Sequence, residues 1–414
     1  MQELIDFFIK LGQLKGNERK RWKLNGLKKV ESTASHMFRV AILSWLLAEK
    51  TSLDTERIIK IALIHDICEI NTEEVLSDPT LLNNSSEEKK EMGNKKEKAK
   101  KQALSELVKG LPFQREFEKL YLDLFEEATK EAKFVEQAEK AENYLQALQY
   151  WDQGKNIDKE KWNEWSGRVF DVPLFIDFKK AIDRKFFGEP EDQELDKIVD
   201  FLIEVGILKE KPRKGWVLIG KENPGTIAEH IYRTAMMAWT LGQRSDTDLN
   251  MKKVIKTSLI HDTCEVKTYD KTPYDDKLPE DKEERAELFD RWPRSSQAEK
   301  KEESLEKDER EIESIKNLTN SLPPYLKEEI RELQMDYIKQ ISKETYFVKQ
   351  INRLEALLQA LEYGEEDKRR PFHSWWVGTK ELIDEPTLVE FLKALDDKFK
   401  HLEEKYPRRE LEKA

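Results

Sequence analysis

Two nine-residue stretches of this chain are variants of one another: Ile61-Ala-Leu-Ile-His65-Asp66-Ile-Cys68-Glu69 and Thr257-Ser-Leu-Ile-His261-Asp262-Thr-Cys264-Glu265. Each ends an apolar helical pattern in an adjacent imidazole and carboxylate, with a second carboxylate three residues further on. Both cysteines of the chain fall inside this block, at the same position. A chain carrying such a block twice is expected to fold as two copies of one unit.

Further matches keep the register. Leu11-Gly12 pairs with Val205-Gly206, Arg19 with Arg213, Trp22 with Trp216 and His36 with His230, all 194 residues apart (230 − 36). His65 and His261 are 196 apart (261 − 65). Phe134-Val135 and Phe347-Val348, Leu145-Gln-Ala-Leu148 and Leu358-Gln-Ala-Leu361, and Pro173 and Pro386 are 213 apart (386 − 173). The second half therefore has 17 extra residues (213 − 196), assigned mostly to the charged stretch 270–310, which reads as a surface loop leading into a helix. The repeat predicts domains over 1–187 and 188–414.

Periodicity makes both domains helical. Charged residues reach 38 %, equal to the hydrophobic share, and Gly and Pro are few, as long amphipathic helices require. Helices are expected over about 2–14, from Met37 to Ala48 (apolar on nearly every face and so buried), and from an N-cap at Asp54 or Thr55 to His65-Asp66. Others are expected near 116–127, 132–150 and 173–187, with a loop and an exposed helix over 77–104. No strand pattern is present, so the fold class is all-α. The basic residues around Trp22 (Lys15, Arg19, Lys20, Arg21, Lys23, Lys28, Lys29) read as a solvated loop.

The net charge of −11 argues against stable nucleic-acid binding. No apolar run reaches a membrane-spanning length, and the start lacks the character of a signal peptide. Reduced cysteines in matched positions suit a cytoplasmic protein.

Four of the six histidines (His36, His65, His230, His261) form the matched pairs; His373 and His401 do not. A lone buried histidine is usually a hydrogen-bonded core residue. The same His, His-Asp and Glu in both halves points instead to a site, since cores seldom bury such groups without partners. Imidazole with carboxylate suits Mn, Fe, Co, Ni or Zn and, with enough oxygen donors, Mg. A fourth ligand is expected from a later helix.

His36…His65-Asp66 and His230…His261-Asp262 resemble the signature of the HD-domain metal-dependent phosphohydrolases. The likeness is greatest to the 5′-deoxynucleotidase branch, through Arg213-Lys-Gly-Trp216, Pro224-Gly-Thr-Ile-Ala-Glu-His230, Leu259-Ile-His-Asp-Thr-Cys-Glu265, Asp270 and Phe347-Val-Lys-Gln. The resemblance implies two tandem HD-type bundles packed as a pseudo-dimer, since single-domain relatives of this branch are associated with homodimers. It implies metal ligation by His36, His65 and Asp66 and by His230, His261 and Asp262. Glu139 and Asn352 stand where the family closes the site with Asp. Glu69 and Glu265 take the catalytic-carboxylate position. Arg19, Trp22, Glu74, Arg213, Trp216 and Asp270 take substrate-binding positions.

The expected activity is hydrolysis of a 5′-deoxynucleoside monophosphate. The alternatives are a non-catalytic nucleotide or metal sensor, and an HD hydrolase of nucleoside triphosphates or alarmones. Asn352 offers only a neutral oxygen, so the first half is expected to hold metal more tightly. The second half, with Glu229, Asp270 and Arg213, keeps the more family-like pocket.

Overall fold

The computed structural model describes residues 1–70, 98–188, 191–218, 220–267, 279, 281, 284, 297–366 and 372–399. In chain order the helices are α1 (Gln2–Gly16), α2 (Lys20–Leu24), α3 (Thr33–Ala48), α4 (Thr55–Ile64), α5 (98–108), α6 (Gln114–Phe125), α7 (Lys130–Asp152), α8 (Lys159–Val169) and α9 (Pro173–Phe187). They continue as α10 (Glu194–Gly206), α11 (Lys214–Leu218), α12 (Ile227–Gly242), α13 (Met251–Ile260), α14 (Gln297–Leu318), α15 (Pro324–Lys339), α16 (Lys343–Glu366), α17 (Phe372–Lys380) and α18 (Pro386–Lys398). The described residues contain no strand. Extended pairing is limited to single bridges, Glu18 to Ser32 and Pro212 to Thr226, which occupy matched positions.

Local chemistry sets the helix ends that matter for the site. Ser32 caps α3 by accepting from the Ser35 amide, and Thr226 caps α12 in a capping box with Glu229. Asp54 and Asn250 cap α4 and α13 by accepting from amides three residues on, each at 3.1 Å. Both of these helices stop at the histidine of the repeated block, His65 or His261, and each chain then tightens into a 3-10 turn, Ile67–Ile70 or Thr263–Val266. Every residue of α3 and of α12 is buried, including Arg39 and Arg233.

The chain divides into two compact units. One comprises residues 13–210 and 321–327; the other comprises 1–12, 211–320 and 328–414. The boundary expected at 187/188 follows the sequence repeat, whereas the compact units exchange helices relative to it. Most of α1 groups with the second repeat, and α10 groups with the first. In one unit α3 packs against α4, α7 and α10. In the other α12 packs against α13 and α16.

Both exchanged helices carry a glycine at closest approach. A methyl group on Gly206 would lie 2.5 Å from Arg39 Nη1, and one on Gly12 would lie 2.6 Å from Arg233 Nη1. Backbone conformation does not require either glycine, since Gly206 is helical (φ −58°); proximity does.

The basic segment near Trp22 departs from the loop reading. Lys23, Lys28 and Lys29 are exposed as expected, but α2 forms there, and Arg19 and Trp22 are buried. Trp22 packs edge-on against Tyr150 and donates its indole N–H to Glu31 at 2.8 Å, while Arg19 pairs with Asp66. Burial is therefore repaid by specific partners. Both cysteines are free and buried, and burial pushes the Cys68 thiol up to about 11. Among the described residues no helix is long and apolar enough to cross a membrane.

Candidate metal centres

His36 enters the first site from the opening turn of α3, His65 and Asp66 from the end of α4, and Glu139 from α7. One ligand atom of each lies within 4.8 Å of the others. The imidazoles are fixed from behind. His65 Nδ1 is 2.7 Å from the carbonyl oxygen of Ala62, which can only accept, so that nitrogen carries the proton. His36 Nδ1 is 2.5 Å from Glu142 Oε2. Burial raises the Glu142 carboxyl, but Lys209, His36 and Arg39 outweigh it and hold the group well below its usual range. An ionised Glu142 accepts, so His36 Nδ1 donates.

With both Nδ1 protons committed, the two Nε2 atoms face each other at 3.2 Å as bare lone pairs. Burial and the Arg19 charge push the His36 pKa down, against Glu142, which favours the neutral ring. Two converging imidazole lone pairs beside Asp66 and Glu139 form a donor set matched to a divalent cation. Asp66 is ionised as such a ligand must be. Burial opposes its charge, but His65, Lys100, Arg19 and His36 together hold its carboxyl well below the usual range.

The second site repeats the frame. His261 Nδ1 donates to Ser258 O at 2.7 Å, His230 Nδ1 contacts Glu355, and the two Nε2 atoms are 3.3 Å apart. Asp262 Oδ2 lies 3.4 Å from His230 Nε2 and 3.3 Å from His261 Nε2. Asn352 donates its side-chain amide to the Tyr337 hydroxyl at 2.9 Å, so its carbonyl oxygen is the ligand atom it has to offer.

The remaining expected residues are placed as follows. Glu69 is buried on the 3-10 turn, and Thr33 Oγ1 donates to its Oε2 at 2.9 Å. Glu265 is half-buried on the matching turn. Arg19 is only 2 % exposed; its Nη1 donates to Asp66 at 2.9 Å, and its Nη2 lies 3.4 Å from Asn143 Oδ1. Arg213 is more open and lies 3.2 Å from Glu355 and 2.9 Å from His230 Nδ1. Trp22 and Trp216 are buried, the latter edge-on to Tyr363 and tilted against Trp375. Glu229 Oε2 accepts from the Thr226 amide at 2.7 Å, completing the capping box of α12. Glu74 and Asp270 lie outside the described residues.

Sequence reasoning missed three groups. Glu142 and Glu355, which orient the first histidines, match at a spacing of 213 (355 − 142), and this repeat was the available signal. Arg39 and Arg233 brace them through Nε, at 2.9 and 2.8 Å, and match at 194 (233 − 39). Lys100 Nζ, on α5, lies 3.9 Å from Asp66 Oδ1. Nothing separates that lysine in sequence from the others around it.

A family model described as HD domain matches residues 11–170 and 205–376. The chain is 32 % identical over 200 residues to the 5′-deoxynucleotidase HDDC2 of Mus musculus, covering 48 % of this chain and 86 % of the mouse protein. It is 33 % identical over 179 residues to the 5′-deoxynucleotidase hdd1 of Schizosaccharomyces pombe, covering 41 % and 76 %. Among solved structures, a conserved hypothetical protein from Pyrococcus furiosus is similar at 22 % identity and a TM-score of 0.35, over 50 % of this chain and 99 % of that one.

Proposed function

Since the chain belongs to the HD domain family, we propose that it is a divalent-metal-dependent phosphohydrolase that removes the phosphate from a 5′-deoxynucleoside monophosphate. The observation that carries this reading is the convergence of His36 Nε2 and His65 Nε2 at 3.2 Å, each with its Nδ1 proton already engaged, beside Asp66 and Glu139. The substrate class is taken from the names of the relatives.

His36, His65, Asp66 and Glu139 would hold the ion in the first site; His230, His261 and Asp262, with the carbonyl oxygen of Asn352, would hold it in the second. When bound, such an ion supplies a water of lowered pKa and neutralises phosphate charge. Glu69, oriented by Thr33, accepts the proton of the attacking water and returns it to the departing 5′-oxygen. The bond from phosphorus to that oxygen breaks, and the products are a deoxynucleoside and inorganic phosphate. Arg19 acts behind the ligands by keeping Asp66 ionised and aimed. We take the two matched segments as tandem copies that pair like a fused homodimer; a solution-scattering profile of two separated bodies would count against that pairing.

A binding-only role is favoured for the second site alone, by the neutral Asn352. The test is phosphate release from a panel of nucleotide mono- and triphosphates by metal-stripped full-length protein. Activity should return with Mn, Co or Mg and be greatest on deoxynucleoside monophosphates. Full activity without metal would overturn the reading; preference for triphosphates or alarmones would overturn the substrate.

A further inference from the structure

Glu31, His36 and Glu142 form a third group with the spacing of metal ligands. Its place for a cation is already filled by the ammonium of Lys209. This side chain is 2 % exposed, lies 2.7 Å from Glu142 Oε1 and 2.6 Å from Gln146 Oε1, and contacts Glu31. Lys209 sits on the 3-10 turn Ile207–Lys209 that follows α10, the exchanged helix. Gly206 lets that helix close on Arg39, whose Nε donates to the same Glu142 oxygen, Oε1, at 2.9 Å. Glu142 in turn holds His36 Nδ1 at 2.5 Å.

We infer that Lys209 is a positioning residue of the first metal centre: by pinning Glu142 it fixes the His36 ring with its Nε2 lone pair turned to the ion. The inference rests on reading His36, His65, Asp66 and Glu139 as metal ligands. Residues 1–187 contain every ligand of the first site yet lack one of the groups that orient them, because Lys209 lies beyond the repeat boundary. Partners that orient a ligating histidine typically affect metal affinity about 10–100-fold.

The second site provides a control inside the same molecule. Mn²⁺ alone is titrated into metal-free full-length protein carrying His230→Ala, which leaves the first site, or His36→Ala, which leaves the second. Lys209→Met should weaken Mn²⁺ binding about 10–100-fold in the His230→Ala background and leave it within a few-fold in the His36→Ala background. Lys209→Met combined with Glu31→Gln removes one buried charge of each sign, so it should preserve folding if the single variant does not, and should show the same selective loss. Equal effects in both backgrounds would mark Lys209 as a stabilising residue only, and no effect in either would remove it from the site. If His230→Ala with Lys209 intact binds no Mn²⁺, the metal reading itself fails and takes the inference with it.

Discussion

In the first site Arg19 reaches Asp66 and Lys209 takes Glu142, whereas in the second Arg213 turns to Glu355 and His230. The frame of two histidines, Nε2 to Nε2 at 3.2 or 3.3 Å, is the same in both. What changes is the charge around it. Glu31 stands in the first half where the second has Gly225, yet both backbone amides donate to a matched tyrosine, Tyr150 or Tyr363. The extra carboxylate of the first half meets the ammonium of Lys209, which matches Lys15 at the 194-residue spacing. Glu139 joins the first ligand group, while Asn352 is tied to Tyr337. Two matched histidine frames thus carry two charge arrangements, provided each buried charge finds a partner.

The largest expected difference is in turnover. Glu69→Gln should lower kcat about 10²–10⁴-fold, with Mn²⁺ affinity of the first site little changed, because the carboxylate moves protons and is not a ligand. Glu265→Gln should cost less, since Ile227 stands where Thr33 orients Glu69 in the first half. Steady-state rates with Mn²⁺ titrations on both variants check this, and the comparison breaks if Glu265→Gln is the more damaging.

Gly206→Ala and Gly12→Ala sharpen the comparison structurally. Each added methyl meets an arginine held by buried carboxylates, so relief by rotation is restricted. Overpacking of this kind costs about 1–3 kcal/mol. Each variant should lower Tm, Gly206→Ala also weakening Mn²⁺ at the first site and Gly12→Ala at the second; the reverse assignment would show that the helices are not exchanged as described.

The helices and the His-Asp groups were legible because they obey short-range rules. Helix periodicity, the Asp54 cap and Pro173 gave elements close to those observed, and the repeated block gave His65-Asp66 and His261-Asp262. Arg19 and Trp22 were misplaced because exposure of a basic cluster is a tertiary property: Glu31 and Asp66, distant in sequence, decide it. Lys209 was illegible for the same reason. No local pattern shows that a helix after residue 188 packs with residues before it.

Asn352→Asp should raise Mn²⁺ affinity of the second site about tenfold, measured in the His36→Ala background, because a charged ligand replaces a neutral one. Unchanged affinity would mean that Tyr337 keeps the residue out of the ligand shell and that the charge of this residue does not set the difference between the sites.

The smallest effect concerns pH and the metal-free protein. Burial and Arg19 depress the His36 pKa below its ordinary value of 6.5. The unfolded chain therefore takes up a proton that the folded chain refuses, so stability is full above about pH 6.5 and declines as the pH falls below it. One such proton contributes at most about 1.4 kcal/mol per pH unit. Asp66, Glu142 and Asp262, all held below their usual range, add loss in the same direction only near and below the ordinary carboxylate values. Chemical denaturation of metal-free wild type from pH 7 to pH 5 should show the decline, and His36→Gln, which has nothing to protonate there, should flatten it. Parallel curves for the two proteins would mean that folding leaves the His36 pKa where the unfolded chain has it, so that the ring takes up its proton between pH 7 and pH 5 and burial does not keep its Nε2 as a bare lone pair.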